Sequence, residues 1–570
     1  MPTTTRTIAM LVMSAGLWPV AVMAARPEQE RAHVPLLSDQ ECWKRLPAAN
    51  GGTSPLPSWA RALAGSMPRT TAALLRVDYV HRARNPLDPK LRARMRWVAA
   101  HANRCAYAEE YAVADGRRAG LDDEAIQALR RGDFSQESPA EKAALEFARK
   151  MTVDSASVTD GEFADLVKQY GEKTVAAMVL SMAYANFQDG LLLCLGTPME
   201  PGGPLPPLDV VFAPGVLISR PSALPPKTPP SRPAPSVSPP SGKDRISDDV
   251  EWTSLTYDEL QARLERQRNK VTRVRVPSWE EVERGLPPGF TTPNRVVWNL
   301  VCLGHQPELA AAWETYLRTS AIETGDKLDR VFGQSLFWVT TRAMNCPYCM
   351  GHCEMGLDLA GLSKPEIAQR TRLLAGDNWS SFPSQERAAY AFARKLTRTP
   401  WAISAEDVRD LERDFGPERA IIVLAAACRG HYMTRISNGF QLSLERDNVF
   451  REWYFTSTNA TAQAAAPAPV PLTRPEMKKM LEESKRDVPR LTPPPPTPEE
   501  LATAPERRTP FTGTYRVRNL LPRELRGGYF FLMDGRTLEM DIRALRNPSM
   551  PANSASSTVD PSRASTLIPT

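Results

Sequence analysis

Three of the chain's eight cysteines lie within the segment NCPYCMGHCEMG, residues 345–356, together with one of its six histidines. Cysteine thiolates act as nucleophiles and as metal ligands, and a nearby imidazole can transfer protons. Four kinds of site are therefore open: a haem attachment site, a zinc site, a structural disulfide and a redox-active thiol pair. The spacing of the residues within the segment discriminates between them.

The spacing argues against haem and zinc. A c-type haem needs a histidine directly after the second cysteine of CxxC, and Met350 occupies that position. Structural zinc usually takes its ligands from two separated pairs, whereas all candidate ligands here lie within eight residues of one helix. We therefore expect no metal and no organic cofactor. A static disulfide stays open, because cysteines three residues apart can close a small ring.

A redox-active thiol pair fits the local sequence best. Asn345 is expected to cap a helix and Pro347 suits its first turn, which places the cysteines at a helix N-terminus. The partial positive charge there stabilises a thiolate and lowers its pKa below the usual value of about 8.5. At about 100° per residue the three cysteines share one face of the helix. The candidate catalytic residues are Cys349, Cys346, His352 and Cys353.

Helices must position these residues, because the segment belongs to one of two similar blocks of the chain. Apolar residues recur every three or four positions in both blocks, and strand alternation is missing. The pattern predicts an all-α protein containing a duplicated unit of about 150 residues. The matching segments are RCAYAEEY (104–111) with NCPYCMGH (345–352), FARKMT (147–152) with FARKLT (392–397), and QYGEKTVAAMVL (169–180) with DFGPERAIIVLA (414–425).

The two blocks resemble the alkyl hydroperoxidase D-like / carboxymuconolactone decarboxylase family. The likeness rests on a CxYC motif opening a helix, followed by AGL and by an ARKLT-type helix, and it covers residues 55–200 and 270–445. It implies helical bundles that assemble as homo-oligomers. Peroxidase members of the family use the pattern Glu-x11-Cys-x2-Cys-x3-His. There the second cysteine attacks the peroxide, the first resolves it to a disulfide, and the glutamate and histidine relay protons.

This resemblance assigns Cys349 as the nucleophile and Cys346 as the resolving thiol. The relay positions depart from the family pattern, because Gln334 stands where the glutamate is expected and Cys353 where the histidine is expected. His352 lies one residue before the histidine position. The resemblance therefore implies a thiol pair whose proton relay is not of the family type.

Other cysteines and histidines are weaker candidates. His431, in the last helix of the second block, could substitute in the relay or be a packed helix residue. Cys428 in the same helix could approach the motif or belong to the core. In the first block Cys105 remains but Ala108 replaces the second cysteine, and His101 precedes Cys105 by one turn. We expect the first block to be a structural partner that mimics a subunit contact.

Composition and the N-terminus suggest where the protein acts. The net charge of +6 is spread over the chain, so we expect no nucleic-acid partner. At the N-terminus, Arg6 precedes an apolar run that is interrupted by Gly16 and Pro19 and ends in Ala24 and Ala25. This is typical of a cleaved secretory signal rather than a membrane anchor. We expect an exported protein, periplasmic or extracellular, in which no later segment is apolar enough to insert stably in a membrane.

The 53 prolines are about twice the ordinary share and concentrate in two linker-like stretches. They divide the chain into two tandem helical bundles, a linker and a disordered C-terminal tail, with one hairpin expected around Asp534-Gly535. The predicted domains are a signal peptide (1–25), a degenerate repeat (45–203), a Pro-rich linker (204–250), a repeat with CxxC (251–455) and a Pro-rich tail (456–570).

The sequence thus favours an exported thiol-dependent peroxidase or disulfide oxidoreductase. It would act on a hydroperoxide or a disulfide and need a dithiol protein as reductant, since an oxidising compartment does not regenerate the thiols. Two alternatives remain. One is a non-enzymatic scaffold held by disulfides. The other is lactone chemistry of the carboxymuconolactone decarboxylase type, which does not depend on a cysteine pair.

Overall fold

The computed structural model divides the chain into two units, Met1–Phe455 and Thr456–Thr570. Both helical blocks belong to the first unit. The predicted signal peptide, most of the linker and most of the tail lie outside the described residues. The structure describes residues 32–50, 53–212, 217, 252, 254–290, 292, 295–376, 378–450, 485–486, 530–533 and 536–539.

The first block is built from helices. Its only ladder within the described range pairs strand β1 (Ala49–Asn50) antiparallel with β2 (Val211–Phe212). The folded chain therefore continues past residue 203, where the sequence placed the start of the linker. The helices are α1 (Asp39–Arg45), α2 (Ser58–Leu63), α3 (Pro68–Tyr79) with a π-helical turn at Val80–Arg84, α4 (Pro89–Ala102), α5 (Ala106–Arg118), α6 (Asp123–Arg131), α7 (Pro139–Val153), a 3-10 turn (Ser155–Ser157), α8 (Asp160–Tyr170) and α9 (Glu172–Leu195).

The second block repeats this succession after two helices of its own, and the all-α prediction is confirmed. The first of the two added helices, α10, packs against the helix that carries the cysteines. The helices are α10 (Tyr257–Arg268), α11 (Trp279–Gly285), α12 (Val297–His305), α13 (Pro307–Thr324), α14 (Arg330–Ala343), α15 (Pro347–Leu359), α16 (Lys364–Ala375), α17 (Ser384–Arg398), a 3-10 turn (Pro400–Ala402), α18 (Ala405–Phe415) and α19 (Pro417–Phe440).

Equivalent helices of the two blocks agree in length and in their ends. Helices α4, α5, α7, α8 and α9 have 14, 13, 15, 11 and 24 residues, and so do α14, α15, α17, α18 and α19. Gly171 and Gly416 start the last helices with φ of 79° and 77°. Arg104 and Asn345, with φ of 53° and 51°, end α4 and α14. This is the order expected of a duplicated unit, and we call the blocks the first and second repeats.

The long helices α9 and α19 pack against each other at the centre of the unit. Gly439 brings α19 close to the first repeat, since a Cβ there would lie 3.0 Å from atoms of Met151 and of Val179. Helix α9 is long and apolar enough to cross a membrane, contrary to the sequence-based expectation, but 89 % of its most apolar window is buried in the protein. Its apolar sequence is therefore explained by its place in the core.

The second unit contains a small antiparallel sheet in its described part. The strand order is β3-β5-β4, and Met533 of β4 lies opposite Arg536 of β5. This is the pairing that a hairpin around Asp534-Gly535 requires. The strands are β3 (Lys485–Arg486), β4 (Phe530–Met533) and β5 (Arg536–Glu539).

Candidate functional site

The turn between α14 and α15 positions the cysteine motif. Asn345 adopts a left-handed conformation, which asparagine tolerates and which ends α14. The N-cap of α15 is therefore Cys346, not Asn345 as the sequence suggested. The Cys346 N–H donates to the carbonyl of Thr341 at 3.0 Å, and Pro347 takes the first helical position as expected. The cysteines thus lie at the start of a helix, as predicted, but the N-cap is one residue later than the sequence indicated.

The three cysteines of the motif are buried together with free thiols. The Cys346 sulfur accepts the Cys349 N–H at 3.4 Å. The Cys349 thiol, 3 % exposed, donates to the hydroxyl of Ser437 in α19 at 3.2 Å. Ser437 in turn donates to the carbonyl of Met433 at 2.9 Å. The Cys349 thiol is therefore fixed by helices α15 and α19.

Burial raises the pKa of two of these thiols, which opposes the lowering expected at a helix N-terminus. Burial and the neighbouring Cys349 raise the pKa of Cys346 well above its usual value. Burial also raises the pKa of Cys353 well above its usual value, and the charge of Cys349 adds to this. The lowered pKa that the sequence predicted at the helix N-terminus is therefore wrong for Cys346 and for Cys353. Both thiols are protonated at neutral pH.

A histidine–carboxylate pair lies beside the motif. His352 Nε2 is 2.7 Å from a carboxylate oxygen of Glu445, and both side chains are 11 % exposed. The other Glu445 oxygen accepts the N–H of Val297 at 2.7 Å and the hydroxyl of Tyr348 at 3.3 Å. Burial by itself would raise the pKa of Glu445, but His352 and the Val297 N–H outweigh it and hold the pKa below its usual value. Glu445 is thus an ionised, buried partner for His352.

Sequence reasoning missed Glu445, because it follows His352 by 93 residues. The sequence gives one indication of it: Glu445 directly follows Leu444, and Leu442 and Leu444 are both buried. Gln334 of α14 contacts helix α15 at Gly356, seven residues after Cys349. A Cβ on Gly356 would lie 2.5 Å from the Gln334 side-chain amide. An amide cannot take up a proton, so Gln334 can pack and can donate or accept hydrogen bonds there, but it cannot act as a base.

The first repeat holds an equivalent carboxylate. Glu200 accepts the hydroxyls of Tyr107 at 2.5 Å and Tyr111 at 2.9 Å, and the N–H of Ser58 at 2.7 Å. Tyr107 and Tyr111 are the second and sixth residues of α5, as Tyr348 and His352 are of α15. A buried glutamate therefore anchors the cysteine helix in both repeats. Only the second repeat presents an imidazole to it.

Cys105 and His101 do not form a second site. Cys105 is buried, and burial together with Asp189 raises its pKa. His101 stacks on Trp97 with ring centroids 4.6 Å apart, and its Nδ1 lies 3.1 Å from Glu109. The first repeat therefore lacks both the thiol pair and an imidazole directed at its cysteine.

His431 and Cys428 face the seam between the repeats. His431 Nε2 is 3.2 Å from the hydroxyl of Thr397. A Cβ on Gly190 of α9 would lie 3.7 Å from both His431 Nδ1 and Cys428 Sγ. Cys428 also adjoins the buried thiol of Cys194. His431 and Cys428 are therefore better explained as packed core residues than as groups that act beside Cys349.

A cavity of about 310 Å³ adjoins the start of the motif, where Asn345 and Pro347 line it. Ser437 lines it and also accepts the hydrogen bond from the Cys349 thiol. Both repeats contribute to its walls, so the first repeat shapes the approach to the thiols of the second. The lining residues are Ala156, Thr159, Asp160, Gln267, Lys270, Arg273, Asn345, Pro347, Ser437, Asn438 and Gln441.

The architecture defines the class of protein as an all-α chain of two similar bundles, one carrying a buried CxxC pair. Residues 68–150 match the carboxymuconolactone decarboxylase family, in agreement with the resemblance predicted for the first repeat. The match spans α3 to α7, which contain Cys105 but no CxxC. No curated protein sequence matches the chain significantly.

Proposed function

We propose that this protein is a thiol-dependent peroxidase or disulfide oxidoreductase that acts through Cys349, with Cys346 as the resolving thiol. One observation carries the proposal. The Cys349 thiol is hydrogen-bonded to a hydroxyl that lines an open cavity, while its own N–H contacts the Cys346 sulfur at 3.4 Å. A substrate in the cavity would thus meet Cys349 before Cys346.

The reaction follows from these positions. The Cys349 thiolate attacks a peroxide oxygen, an S–O bond forms and the O–O bond breaks, which leaves a sulfenic acid and an alcohol or water. The Cys346 sulfur then attacks the sulfenic sulfur. An S–S bond forms and the leaving hydroxide takes a proton to become water. A dithiol protein returns two electrons and two protons to the pair. A disulfide substrate would enter the same cycle by exchange at Cys349.

His352 is the proposed proton carrier. It follows Cys349 by three residues, a spacing that makes side chains neighbours on a helix. The ionised Glu445 holds a proton on His352 Nε2, which leaves Nδ1 to exchange protons with the thiol or the departing oxygen. Cys353 occupies the family's histidine position, but its thiol stays protonated, so we assign it no proton transfer.

Export is part of the proposal and rests on residues 1–25 alone. In an oxidising compartment the pair would be found as a disulfide unless a reducing partner reached it.

Lactone chemistry is the second candidate, because the family matched by the first repeat is named for a decarboxylase. It differs in one testable respect: it would survive the loss of both cysteines.

The test follows thiol loss in the reduced full chain after addition of hydrogen peroxide or an organic hydroperoxide. The wild type should lose two thiols rapidly and form a Cys346–Cys349 disulfide that peptide mapping detects. Cys349→Ser should abolish the rapid phase. Cys105→Ser is the matched control, because it removes the equivalent of Cys346 from the first repeat and should leave the rate unchanged. Slow loss that is equal in all three proteins would refute the proposal.

A further inference from the structure

A second cavity, of about 110 Å³, lies on the seam between the repeats. Residues at equivalent helix positions line it from both sides. Thr152 and Thr397 are the fourteenth residues of α7 and α17, and Asn186 and His431 are the fifteenth of α9 and α19. The cavity is therefore a feature of the contact between the repeats. It is separate from the cavity that adjoins Cys349.

The lining of this seam cavity is positive. Arg398 and Arg435 contribute the charge, and none of its described lining residues is acidic. The other lining groups are amides, hydroxyls and a few apolar side chains. By volume it has room for three or four water molecules at about 30 Å³ each, or for one small oxyanion.

Arg435 is the main charge in the seam cavity. It is 5 % exposed, and its guanidinium donates to the carbonyls of Met151 and Thr152, each at 3.0 Å. These carbonyls belong to α7 of the first repeat and carry no net charge. A buried charge that is not neutralised by a direct partner is costly. An anion in the adjoining space would remove that cost.

The nearest acids do not neutralise Arg435 directly. Asp189 is bound by Arg96 at 2.5 Å and by Asn103 at 2.9 Å. Asp154 acts on Arg435 only at longer range. Burial lowers the pKa of Arg435 to about 9 despite both acids, and it lowers the pKa of His431 well below its usual value. The arginine is therefore the cation of this site, and His431 is neutral.

We propose that the seam cavity binds a small oxyanion, inorganic or a carboxylate, whose oxygens face the Arg435 guanidinium. Asn103, Thr397 and His431 offer the polar groups around it. Because Arg435 belongs to α19 and its carbonyl partners to α7, a bound anion stabilises the seam between the repeats. This site does not depend on the chemistry at Cys349.

The test measures thermal unfolding of the full chain at pH 7 and constant ionic strength, with chloride replaced stepwise by inorganic phosphate or by acetate. A ligand that binds only the folded state should raise Tm saturably, by a few degrees at high occupancy. Phosphate and acetate distinguish an inorganic oxyanion from a carboxylate. No saturable rise with either anion would overturn the proposal.

Val153 provides the discriminating variant. It lines the seam cavity yet is 64 % exposed, so Val153→Glu should fold and place a carboxylate near Arg435. We expect this variant to have a higher Tm than the wild type in the chloride buffer and to lose the response to phosphate and acetate. Val211→Glu, at a valine of β2 that is 59 % exposed, is the control and should respond as the wild type does. An undiminished response in Val153→Glu would show that the anion binds elsewhere.

Discussion

At the scale of single residues, the two repeats differ most clearly in what faces the buried glutamate. Glu200 meets two tyrosines, whereas Glu445 meets Tyr348 and His352. The carboxylate is therefore part of the architecture that both repeats share. The imidazole is the difference, and it occurs only beside the CxxC pair. This contrast makes His352, more than Glu445, the residue beside the thiol pair that the first repeat does not share, and the proposed reaction depends on it.

Replacement of His352 by tyrosine should separate these roles. The phenol can still donate to Glu445, as Tyr111 does to Glu200, so the fold should be kept. Loss of the imidazole should slow the oxidation of Cys349 by peroxide about 10²-fold or more, since a general base is removed. Stopped-flow measurement of thiol loss checks the rate, and Tyr111→His in the first repeat should leave it unchanged. An unaltered rate in His352→Tyr would show that His352 carries no proton in this step.

At the scale of helices, small residues set how closely α19 approaches its neighbours. A Cβ on Gly430 would lie 2.7 Å from Thr340 Cγ2 and 3.2 Å from Phe337 of α14. On α9, by contrast, a Cβ on Gly190 would make ordinary contacts at 3.7 Å. Helix α14 leads directly into the cysteine turn, so its distance from α19 fixes where Cys349 and Ser437 meet.

Two glycine substitutions should therefore differ in their effect on stability. Gly430→Ala forces α14 and α19 apart and should lower the free energy of unfolding by about 1–3 kcal/mol. It should also weaken the contact between Cys349 and Ser437 and slow peroxide oxidation. Gly190→Ala should be neutral or stabilising by up to about 1 kcal/mol, because alanine favours the helix. Urea unfolding measures both, and equal destabilisation by the two changes would contradict the packing argument.

The sequence predicted the helices and the thiol pair because those signals are local. Apolar spacing, capping residues and the CxxC spacing all lie within a few turns of one helix. The cap itself was assigned one residue early, since the left-handed conformation of Asn345 depends on how α14 ends. Glu445 and the grouping of Arg435 with Met151 and Thr152 join residues that are far apart in sequence. No periodicity reports such contacts, so only the fold could reveal them.

At the scale of the whole molecule, the repeats depend on each other. Arg435 of the second repeat binds carbonyls of the first, and Arg273 pairs with Asp160 at 2.8 Å across the first cavity. Helix α9 covers the apolar face of α19. The first repeat therefore has a structural role for the thiol site even though it has no CxxC pair of its own.

A chain reduced to residues 251–455 should show this dependence. It exposes the face of α19 that α9 covers, and it leaves Arg435 without its carbonyl partners. We expect it to self-associate through that face, as subunits of a homo-oligomer would, while the full chain does not use this face to associate. Light scattering after size-exclusion chromatography measures the mass. A stable, folded monomer of the fragment would contradict the mutual dependence of the repeats.

The apolar character of α9 also has a consequence for biosynthesis. Its partner α19 begins more than 200 residues later in the chain. At about 5–20 residues per second, synthesis leaves the face of α9 that packs against α19 uncovered for on the order of ten seconds or more. During that interval its composition is that of a membrane-spanning segment, and nothing yet made can cover it as α19 will. We therefore expect the nascent chain, rather than the finished protein, to be the state most prone to aggregation or misdirected insertion.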